Sequence, residues 1–245
     1  CDMKSAERVD AVVIGAGVVG LAVARALARV GRDVIVCEAR NAYGTLTSAR
    51  NSEVLHAGLH YPSDWLKTLL CVQGRPMVEH FASQHGVPWR RLGKLVVATG
   101  PAEVPELDKL HQRALQNGAT EVMRIDGDEA RRLEPALARN TAGALLSPQT
   151  GIIDSHSLMR ALLGDAQDHG AWLALKRPVS ALQSTPAGLR VSVASDPPVE
   201  LLAAVVVNAA GHHAPLLARG MAALPAALVP QASVCKGNYF ALAGK

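Results

Sequence analysis

The stretch that decides the fold is residues 9–40, VDAVVIGAGVVGLAVARALARVGRDVIVCEAR. It begins with a β-rich run that ends at Ile14, and a glycine turn leads from there into a helical pattern of small and apolar residues. Gly31 closes that pattern, and a second β-branched run ends at Glu38. This order of strand, turn, helix and strand predicts a βαβ unit, and therefore an α/β protein built on a parallel sheet.

The turn in this unit has the spacing of a phosphate-binding motif. Gly15, Gly17 and Gly20 form G-x-G-x-x-G, in which the glycines permit a tight turn, a close pyrophosphate and close packing of helix on strand. The helix N-terminus then offers N–H groups and a favourable dipole to the phosphate. Glu38 lies 18 residues after Gly20, where a carboxylate can accept bonds from ribose hydroxyls. The motif predicts a dinucleotide, and because Glu38 would repel the 2′-phosphate that Arg40 suggests, the ribose is expected to be unphosphorylated.

The composition narrows the class of protein. With 245 residues, of which 49% are hydrophobic, the chain can bury a substantial core, and a formal charge of +4 without a lysine-rich run argues against nucleic-acid binding. The cysteines at positions 1, 37, 71 and 235 form no Cys-x-x-Cys pair, so we expect free thiols and no bound metal. The uncharged run at residues 11–24 is shorter than the ~20 apolar residues of a membrane span and lacks the basic start of a signal peptide. We therefore predict a cytoplasmic protein without an integral membrane span, and peripheral membrane association stays open.

A polar segment follows where a nicotinamide dehydrogenase usually has another βα unit. Residues 41–62 are irregular, rich in hydrogen-bonding groups, and end in RNSEVLHAGLHYP. A bulky cofactor crossing this segment would contact its hydroxyls, the amide of Asn51 and backbone N–H groups. The segment therefore favours FAD over NAD, which the glycine motif alone does not distinguish.

At these residues the chain resembles the FAD-dependent oxidoreductases of the D-amino-acid oxidase superfamily, and within it the L-2-hydroxyglutarate dehydrogenase/oxidase branch. The most specific part is TSARNSEVLHAG at residues 47–58. Further matches are GKL at 93–95, TGIID at 150–154, VVNAAG at 206–211 and CKGNYF at 235–240. The resemblance implies a Rossmann-like FAD-binding domain with an inserted α+β substrate domain. Because such proteins continue beyond the last residue here, we expect the closing C-terminal part of the family fold to be missing.

The function that the resemblance implies is oxidation of a short L-2-hydroxy acid, with L-2-hydroxyglutarate and its product 2-oxoglutarate as the most specific pair. Two alternatives stay open: an amino-acid or amine oxidase of the same superfamily, and a flavin-binding subunit or fragment without activity. The expected partner is a small-molecule carboxylate. The residues do not indicate whether oxygen or an electron carrier accepts the electrons.

Oxidation of a hydroxy acid needs a base for the hydroxyl proton, and histidine suits this role because its pKa lies near neutrality. His56 and His60 are the candidate catalytic residues, and the choice between them is left open. The resemblance places His56 next to the flavin ring and His60 with Tyr61 toward the substrate. Tyr61, Lys94 and Lys236 are the candidates for binding an anionic substrate. Close relatives often have arginine where Lys236 stands, so bidentate carboxylate binding is lost there.

The resemblance also assigns residues to the cofactor. It implies that the backbone at Val179 meets the adenine and that Ala210 and Gly211 pass beneath the cofactor. Together with the glycine motif and the polar segment, the predicted FAD-binding residues are Gly15, Gly17, Val18, Val19, Gly20, Glu38, Ala39, Thr47, Ser48, Asn51, Ser52, Val179, Ala210 and Gly211.

The remaining patterns predict how the two domains alternate. From residue 87 the pattern changes to short strands and helices, and a helix capped by Ser155 follows. AAVVVNAAG at 203–211 is an apolar strand of the kind buried in a parallel sheet, and GNYFALAGK at 237–245 is strand-like. We assign the FAD-binding domain to residues 1–86 and 155–220, and the substrate domain to residues 87–154 and 221–245.

Overall fold

The computed structural model of the chain describes residues 6–238, which form twelve β-strands and six α-helices. The strands are β1 (Glu7–Ile14), β2 (Val34–Cys37), β3 (Val54–Leu55), β4 (Trp89–Arg91), β5 (Leu95–Ala98), β6 (Met123–Asp126), β7 (Gly143–Leu146), β8 (Gly151–Ile153), β9 (Trp172–Ala174), β10 (Val179–Thr185), β11 (Gly188–Val193) and β12 (Val199–Asn208). The helices are α1 (Val18–Arg29), α2 (Leu66–Gln84), α3 (Val104–Gln116), α4 (Gly127–Leu133), α5 (Ser155–Asp168) and α6 (Ala214–Arg219). The chain divides into two compact units: the first runs from the N-terminus to Ser48 and resumes at Leu162, and the second is Ala49–Ala161.

The first unit is built on one six-stranded sheet with the order β10-β11-β12-β1-β2-β9. Strands β12, β1, β2 and β9 run parallel, whereas β11 and β10 continue the sheet antiparallel. Helix α1 is the crossover between β1 and β2, as the sequence predicts. The carboxyl ends of the parallel strands meet at one edge of the sheet, which is where open α/β sheets bind their ligands.

Helix α1 buries one face because its apolar residues recur at helical spacing. Leu21, Ala24 and Ala28 are buried on that face, and the helix packs against β1 and β2. Burying a leucine or valine side chain contributes about 1.5–3 kcal/mol. This packing fixes the glycine turn that joins β1 to α1.

Strand β12 differs from the predicted strand buried within a parallel sheet. It pairs parallel with β1 on one side but antiparallel with β11 on the other. Leu201 and Ala203 are buried, whereas Val205 is 44% exposed. The apolar run predicted the strand correctly but not its surroundings, because burial depends on what packs against each face.

The second unit holds two three-stranded antiparallel sheets, with the orders β3-β8-β4 and β5-β7-β6. Helix α3 packs on β5 and β7, and its Leu107 and Ala114 share a core cluster with Leu145 of β7. Ala57 and Leu59 of the polar segment join the same cluster. The segment is therefore anchored by alternate apolar residues.

Helix α5 begins at Ser155, but the predicted cap is wrong by one residue. Asp154 caps the helix, because its Oδ1 accepts the Ser157 N–H and its Oδ2 accepts the Ser157 hydroxyl, both at 2.8 Å. These bonds hold the pKa of Asp154 below its ordinary range. Ser155 instead donates its N–H and hydroxyl to Glu53 Oε1, at 2.9 and 2.7 Å.

The division into units differs from the domain boundaries predicted from the sequence. It assigns residues 49–86 to the second unit, where helix α2 packs on strand β4. Buried Glu79 of α2 pairs with Arg75 of the same helix at 2.9 Å and with Arg91 of β4 at 2.6 Å. The predicted boundary follows the change of pattern at residue 87, whereas the packing ties the preceding helix to the strand that comes after it.

No helix among residues 6–238 is long and apolar enough to cross a membrane. Cys37, Cys71 and Cys235 are free thiols, in line with the cysteine spacing. Burial raises the pKa of Cys37 to about 11, so this thiol is protonated at neutral pH.

Candidate functional site

The glycine turn of the first unit leaves no room for side chains. Gly15 has φ +96°, and a Cβ there would lie 2.7 Å from the Ala209 carbonyl oxygen. A Cβ on Gly20 would lie 1.9 Å from the Gly15 carbonyl oxygen, and one on Gly17 would lie 3.0 Å from Ser48 Oγ. Gly15 and Gly20 therefore serve the tight turn and the close packing that the motif predicts, and the approach of a pyrophosphate to Gly17 stays a prediction.

Glu38 ties the end of β2 to this turn. Its Oε2 accepts the N–H of Ala16, inside the glycine motif, and its Oε1 accepts the N–H of Arg40, both at 2.8 Å. The residue is 8% exposed. Because each carboxylate oxygen has a second lone pair, Glu38 can still accept bonds from ribose hydroxyls. Sequence spacing identified Glu38, but it gave no signal for the two backbone bonds.

Ser48 is brought to the N-terminus of helix α1. The N–H of Val18 donates to Ser48 Oγ at 3.0 Å, and the serine lies in a 3₁₀ turn over Thr47–Ala49. The N-cap residue, Gly17, has no side chain to supply this bond. Val19, in the first turn of the helix, is 64% exposed. The turn at residues 47–49 therefore completes the helix end that faces a phosphate in the predicted site.

The end of β12 lies beside the same turn. Ala209 donates its N–H to the Ile14 carbonyl oxygen at 2.9 Å, and Ala210 donates to Asn208 Oδ1 at 3.3 Å. Gly211 follows with φ +57°. The structure thus places the predicted Ala210–Gly211 turn at the carboxyl end of the strand next to β1.

Two further predicted cofactor residues lie on neighbouring elements of the first unit. Val179 is half-buried, begins β10 and packs against the core of the sheet. Ala39 is exposed directly after Glu38, whose carbonyl oxygen accepts the N–H of Arg177 at 2.8 Å. Taken together, backbone N–H groups at a helix end, a glycine cradle and a carboxylate fit the diphosphate and ribose of a dinucleotide.

The histidines of the polar segment lie in the second unit, within a cluster of bases and cations. Lys94 Nζ lies 2.6 Å from His60 Nε2, so that the ammonium donates a hydrogen bond to the imidazole. The rings of His56 and Tyr61 meet edge to face, with 6.5 Å between their centroids. Lys67 Nζ lies 4.2 Å from the centre of the Tyr61 ring. The structure therefore groups four predicted residues, and Lys67, which the sequence pattern did not single out, joins them.

Burial and neighbouring cations lower the pKa of both histidines. For His56, burial acts first, followed by the charges of Lys94 and Lys67. For His60, burial is followed by Lys94, His56 and Arg113. Burial also lowers the pKa of Lys94. Both imidazoles are therefore neutral near pH 7, which is the form in which a histidine can act as a base.

Asn51 and Ser52 also lie in the second unit and are exposed. Asn51 Oδ1 accepts the N–H of Glu53 at 2.7 Å, where the backbone of Glu53 has φ +56°. Glu53, Asp154 and His156 bring oxygen and nitrogen atoms within 4.8 Å of one another. The bonds that the two carboxylates accept from residues 155 and 157 account for this grouping as capping of helix α5.

Lys236 has no defined place in a site. It is exposed in residues 231–238, which form neither helix nor strand. The strand predicted at residues 237–245 lies almost entirely outside the described residues. Lys236 as a substrate ligand therefore stays a prediction.

Similarity to known proteins identifies the family of the chain. A family model described as FAD dependent oxidoreductase matches residues 10–245. The chain belongs to this FAD dependent oxidoreductase family. The mitochondrial L-2-hydroxyglutarate dehydrogenase of Arabidopsis thaliana is 39% identical over 266 residues, which cover 97% of this chain and 55% of the relative. Glycerol 3-phosphate dehydrogenase of Caloramator mitchellensis is 29% identical over 233 residues, covering 95% and 47%. The chain thus spans about half the length of these relatives of the FAD dependent oxidoreductase family.

The fold is shared with a solved structure. L-alpha-glycerophosphate oxidase from Mycoplasma pneumoniae, dithionite reduced and with FAD bound, superimposes with a TM-score of 0.83. The match covers 88% of this chain and 57% of that one, at 23% identity, and at this identity it shows the fold alone. These comparisons confirm the predicted fold class, family and FAD cofactor. The cytoplasmic location stays a prediction, and the Arabidopsis relative is named mitochondrial.

Proposed function

We propose that this chain carries the nucleotide-binding and substrate-binding parts of an enzyme that oxidises L-2-hydroxyglutarate to 2-oxoglutarate. The observation that carries the proposal is the pair formed by His60 Nε2 and Lys94 Nζ at 2.6 Å, next to a second neutral histidine, His56. Such a cluster combines a proton acceptor with fixed positive charge, which an anionic hydroxy acid requires. The 39% identity to the Arabidopsis L-2-hydroxyglutarate dehydrogenase supports the choice of substrate.

His56 is the stronger candidate for the base. The lone pair of His60 Nε2 is engaged by Lys94, whereas the ring of His56 has no hydrogen-bond partner among the described residues. The neutral imidazole of His56 takes the proton of the substrate hydroxyl. When bound, FAD supplies the acceptor for the hydride that leaves the carbinol carbon.

The cations around the histidines bind the carboxylates of the substrate. Lys94, Lys67 and Arg113 each contribute positive charge that lowers a histidine pKa in the unliganded site. A bound dicarboxylate offsets this charge, and it therefore raises the basicity of His56 when the proton must be accepted. Binding of the substrate thus makes His56 a stronger base for the substrate's hydroxyl proton.

The same cluster bears on the alternative substrates. The ammonium group of an amine or amino acid would be repelled by these cations, which argues against an amine oxidase. A phosphate monoester would be attracted as a dicarboxylate is, and the Caloramator mitchellensis relative is a glycerol 3-phosphate dehydrogenase. Glycerol 3-phosphate is therefore the second candidate substrate.

Rapid-mixing measurement of flavin bleaching without oxygen tests the proposal in the FAD-loaded protein. L-2-Hydroxyglutarate should reduce the flavin much faster than its D-enantiomer, glycerol 3-phosphate or L-glutamate. His56→Gln should slow reduction by about 10²–10⁴-fold with FAD still bound, the usual contribution of a general base. Faster reduction by glycerol 3-phosphate or L-glutamate would overturn the substrate, and no reduction by any of them would favour a silent subunit.

A further inference from the structure

Asn117 bridges two carbonyl groups of the histidine segment from outside it. The residue follows helix α3 directly, and its Nδ2 donates to the Gly58 carbonyl oxygen at 2.7 Å and to the Tyr61 carbonyl oxygen at 3.0 Å. These two carbonyls stand on either side of Leu59 and His60. One side-chain amide therefore fixes the backbone on both sides of His60.

The chemistry of this bridge requires a group with two N–H donors. Asn117 Oδ1 is buried and has no hydrogen-bond partner among the described residues. With the amide reversed, this oxygen would face two carbonyl oxygens, which accept but do not donate. The donor orientation is thus the one that the carbonyls permit, and a serine hydroxyl with one proton could satisfy only one of them.

Other hydrogen bonds that hold the segment lie outside the stretch between the Gly58 and Tyr61 carbonyls. Cys71 Sγ donates to the His56 carbonyl oxygen at 3.3 Å, and Thr68 Oγ1 donates to the Pro62 carbonyl oxygen at 2.6 Å. Leu59, which lies between these two carbonyls, is 2% exposed and packs in the core of the second unit. With Leu59 buried and the carbonyls of Gly58 and Tyr61 bound, the backbone that carries His60 is held on both sides.

We propose that Asn117 is a positioning residue that holds His60 against Lys94, and Tyr61 beside His56, so that this cluster can bind an anionic substrate. The inference rests on the proposed function for its consequence in catalysis. Its structural content, the placement of His60 by Asn117, can be tested without turnover. No sequence pattern indicates this role for Asn117, which lies 59 residues from Gly58 and reads as an ordinary helix end.

The first test measures the pKa of His60 by NMR titration of protein labelled at histidine. The charged and titratable groups that face His60 are Lys94 before β5, His56 on the same segment and Arg113 on α3, and burial and these groups lower its pKa. Asn117→Leu has nearly the same volume but no donors, so His60 should move away from Lys94 and its pKa should rise toward the ordinary value. An unchanged His60 pKa in Asn117→Leu would overturn the proposal. If that variant does not fold, Asn117→Ser is measured by the same criterion.

His111→Leu is the matched control. His111 lies in α3, six residues before Asn117, and donates from Nε2 to the Val122 carbonyl oxygen at 3.0 Å, so its loss also removes a side-chain bond to a carbonyl outside the helix. It should lower thermal stability but leave the His60 pKa unchanged. An equal pKa shift in this control would assign the effect to general loosening of the unit, which also overturns the proposal.

The second test separates this inference from the proposed function. In the FAD-loaded protein, Asn117→Leu should reduce the rate of flavin reduction by L-2-hydroxyglutarate about 10- to 100-fold, the scale of an ångström-sized misplacement. A shifted His60 pKa with no rate loss in Asn117→Leu, His56→Gln and His60→Gln supports Asn117 as the positioning residue but removes the histidines from the reaction. A rate loss in the histidine variants with an unshifted His60 pKa in Asn117→Leu supports the histidines in the reaction but overturns Asn117 as the positioning residue.

Discussion

Gly20→Ala is expected to damage both the fold and the FAD site, although alanine is ordinarily the better helix residue. Gly20 lies in the first turn of α1, where replacing glycine by alanine would normally stabilise a helix by about 1 kcal/mol. The added Cβ would lie 1.9 Å from the Gly15 carbonyl oxygen, well inside the 3.0 Å that real Cβ atoms keep. The helix and the turn must therefore separate by about 1 Å.

The cost of this separation exceeds the gain in helix propensity. The atom that the new methyl group meets is backbone, and Gly15 itself lies against Ala209, so neither side can yield by turning a side chain. Overpacking of this kind costs about 1–3 kcal/mol, occasionally more, and a backbone clash belongs at the upper end. We expect a net loss of about 2 kcal/mol in the free energy of unfolding. The displaced N–H groups should also weaken FAD binding by a factor of ten or more, since about 1.4 kcal/mol corresponds to a tenfold change.

Denaturant unfolding and titration with FAD measure both effects, and Gly164→Ala is the matched control. Gly164 lies inside α5 of the chain, and a Cβ there meets nothing within 4 Å. The control should gain up to about 1 kcal/mol in stability and bind FAD as the parent does. If Gly20→Ala unfolds at the parental denaturant midpoint and binds FAD with parental affinity, the close approach of turn and helix is not what requires glycine.

Three further changes test other parts of the structure. Glu38→Ala removes two charge-assisted bonds to backbone N–H groups, so the free energy of unfolding should fall by about 1.5–3 kcal/mol and FAD affinity should fall with it. Denaturant unfolding and titration with FAD measure the two effects, and unchanged stability would mean that Glu38 contributes to cofactor binding alone. Lys94→Met removes a cation that lowers the pKa of His56, so the pKa of His56 should rise. Because only neutral imidazole accepts a proton, the acid limb of the kcat/KM profile for flavin reduction should then move to higher pH. An acid limb that does not move would mean that a group other than His56 is titrating. For Asp165, burial alone would raise the pKa, but the hydrogen bond and charge of Arg25 hold it below the ordinary range, so its stabilising effect is present at neutral pH and is lost as the pH falls through the folded-state pKa. Asp165→Asn should therefore be less stable than the parent at pH 7, with the difference vanishing in acid, and a difference that persists in acid unfolding experiments would contradict the ion pair.

The sequence by itself determined those features that depend on neighbouring residues. The G-x-G-x-x-G turn, with a strand before it, a helix after it and Glu38 at the expected distance, predicted the βαβ unit and a dinucleotide, because periodicity and glycine spacing are local properties. The apolar strand at residues 203–211 was likewise found from its composition. The composition of this strand did not predict that β11 pairs with it antiparallel, since the partners of a strand come from elsewhere in the chain.

The tertiary structure decided which groups meet. Lys94 and His60 are 34 residues apart, Asn117 and Gly58 are 59 apart, and no periodic pattern links either pair. The choice of Asp154 over Ser155 as the cap of α5 likewise depended on Glu53, which engages the serine from 102 residues away. A hydrogen bond forms only when two groups come within about 3 Å in the right direction, and over such separations only the packing of the elements between them sets that distance.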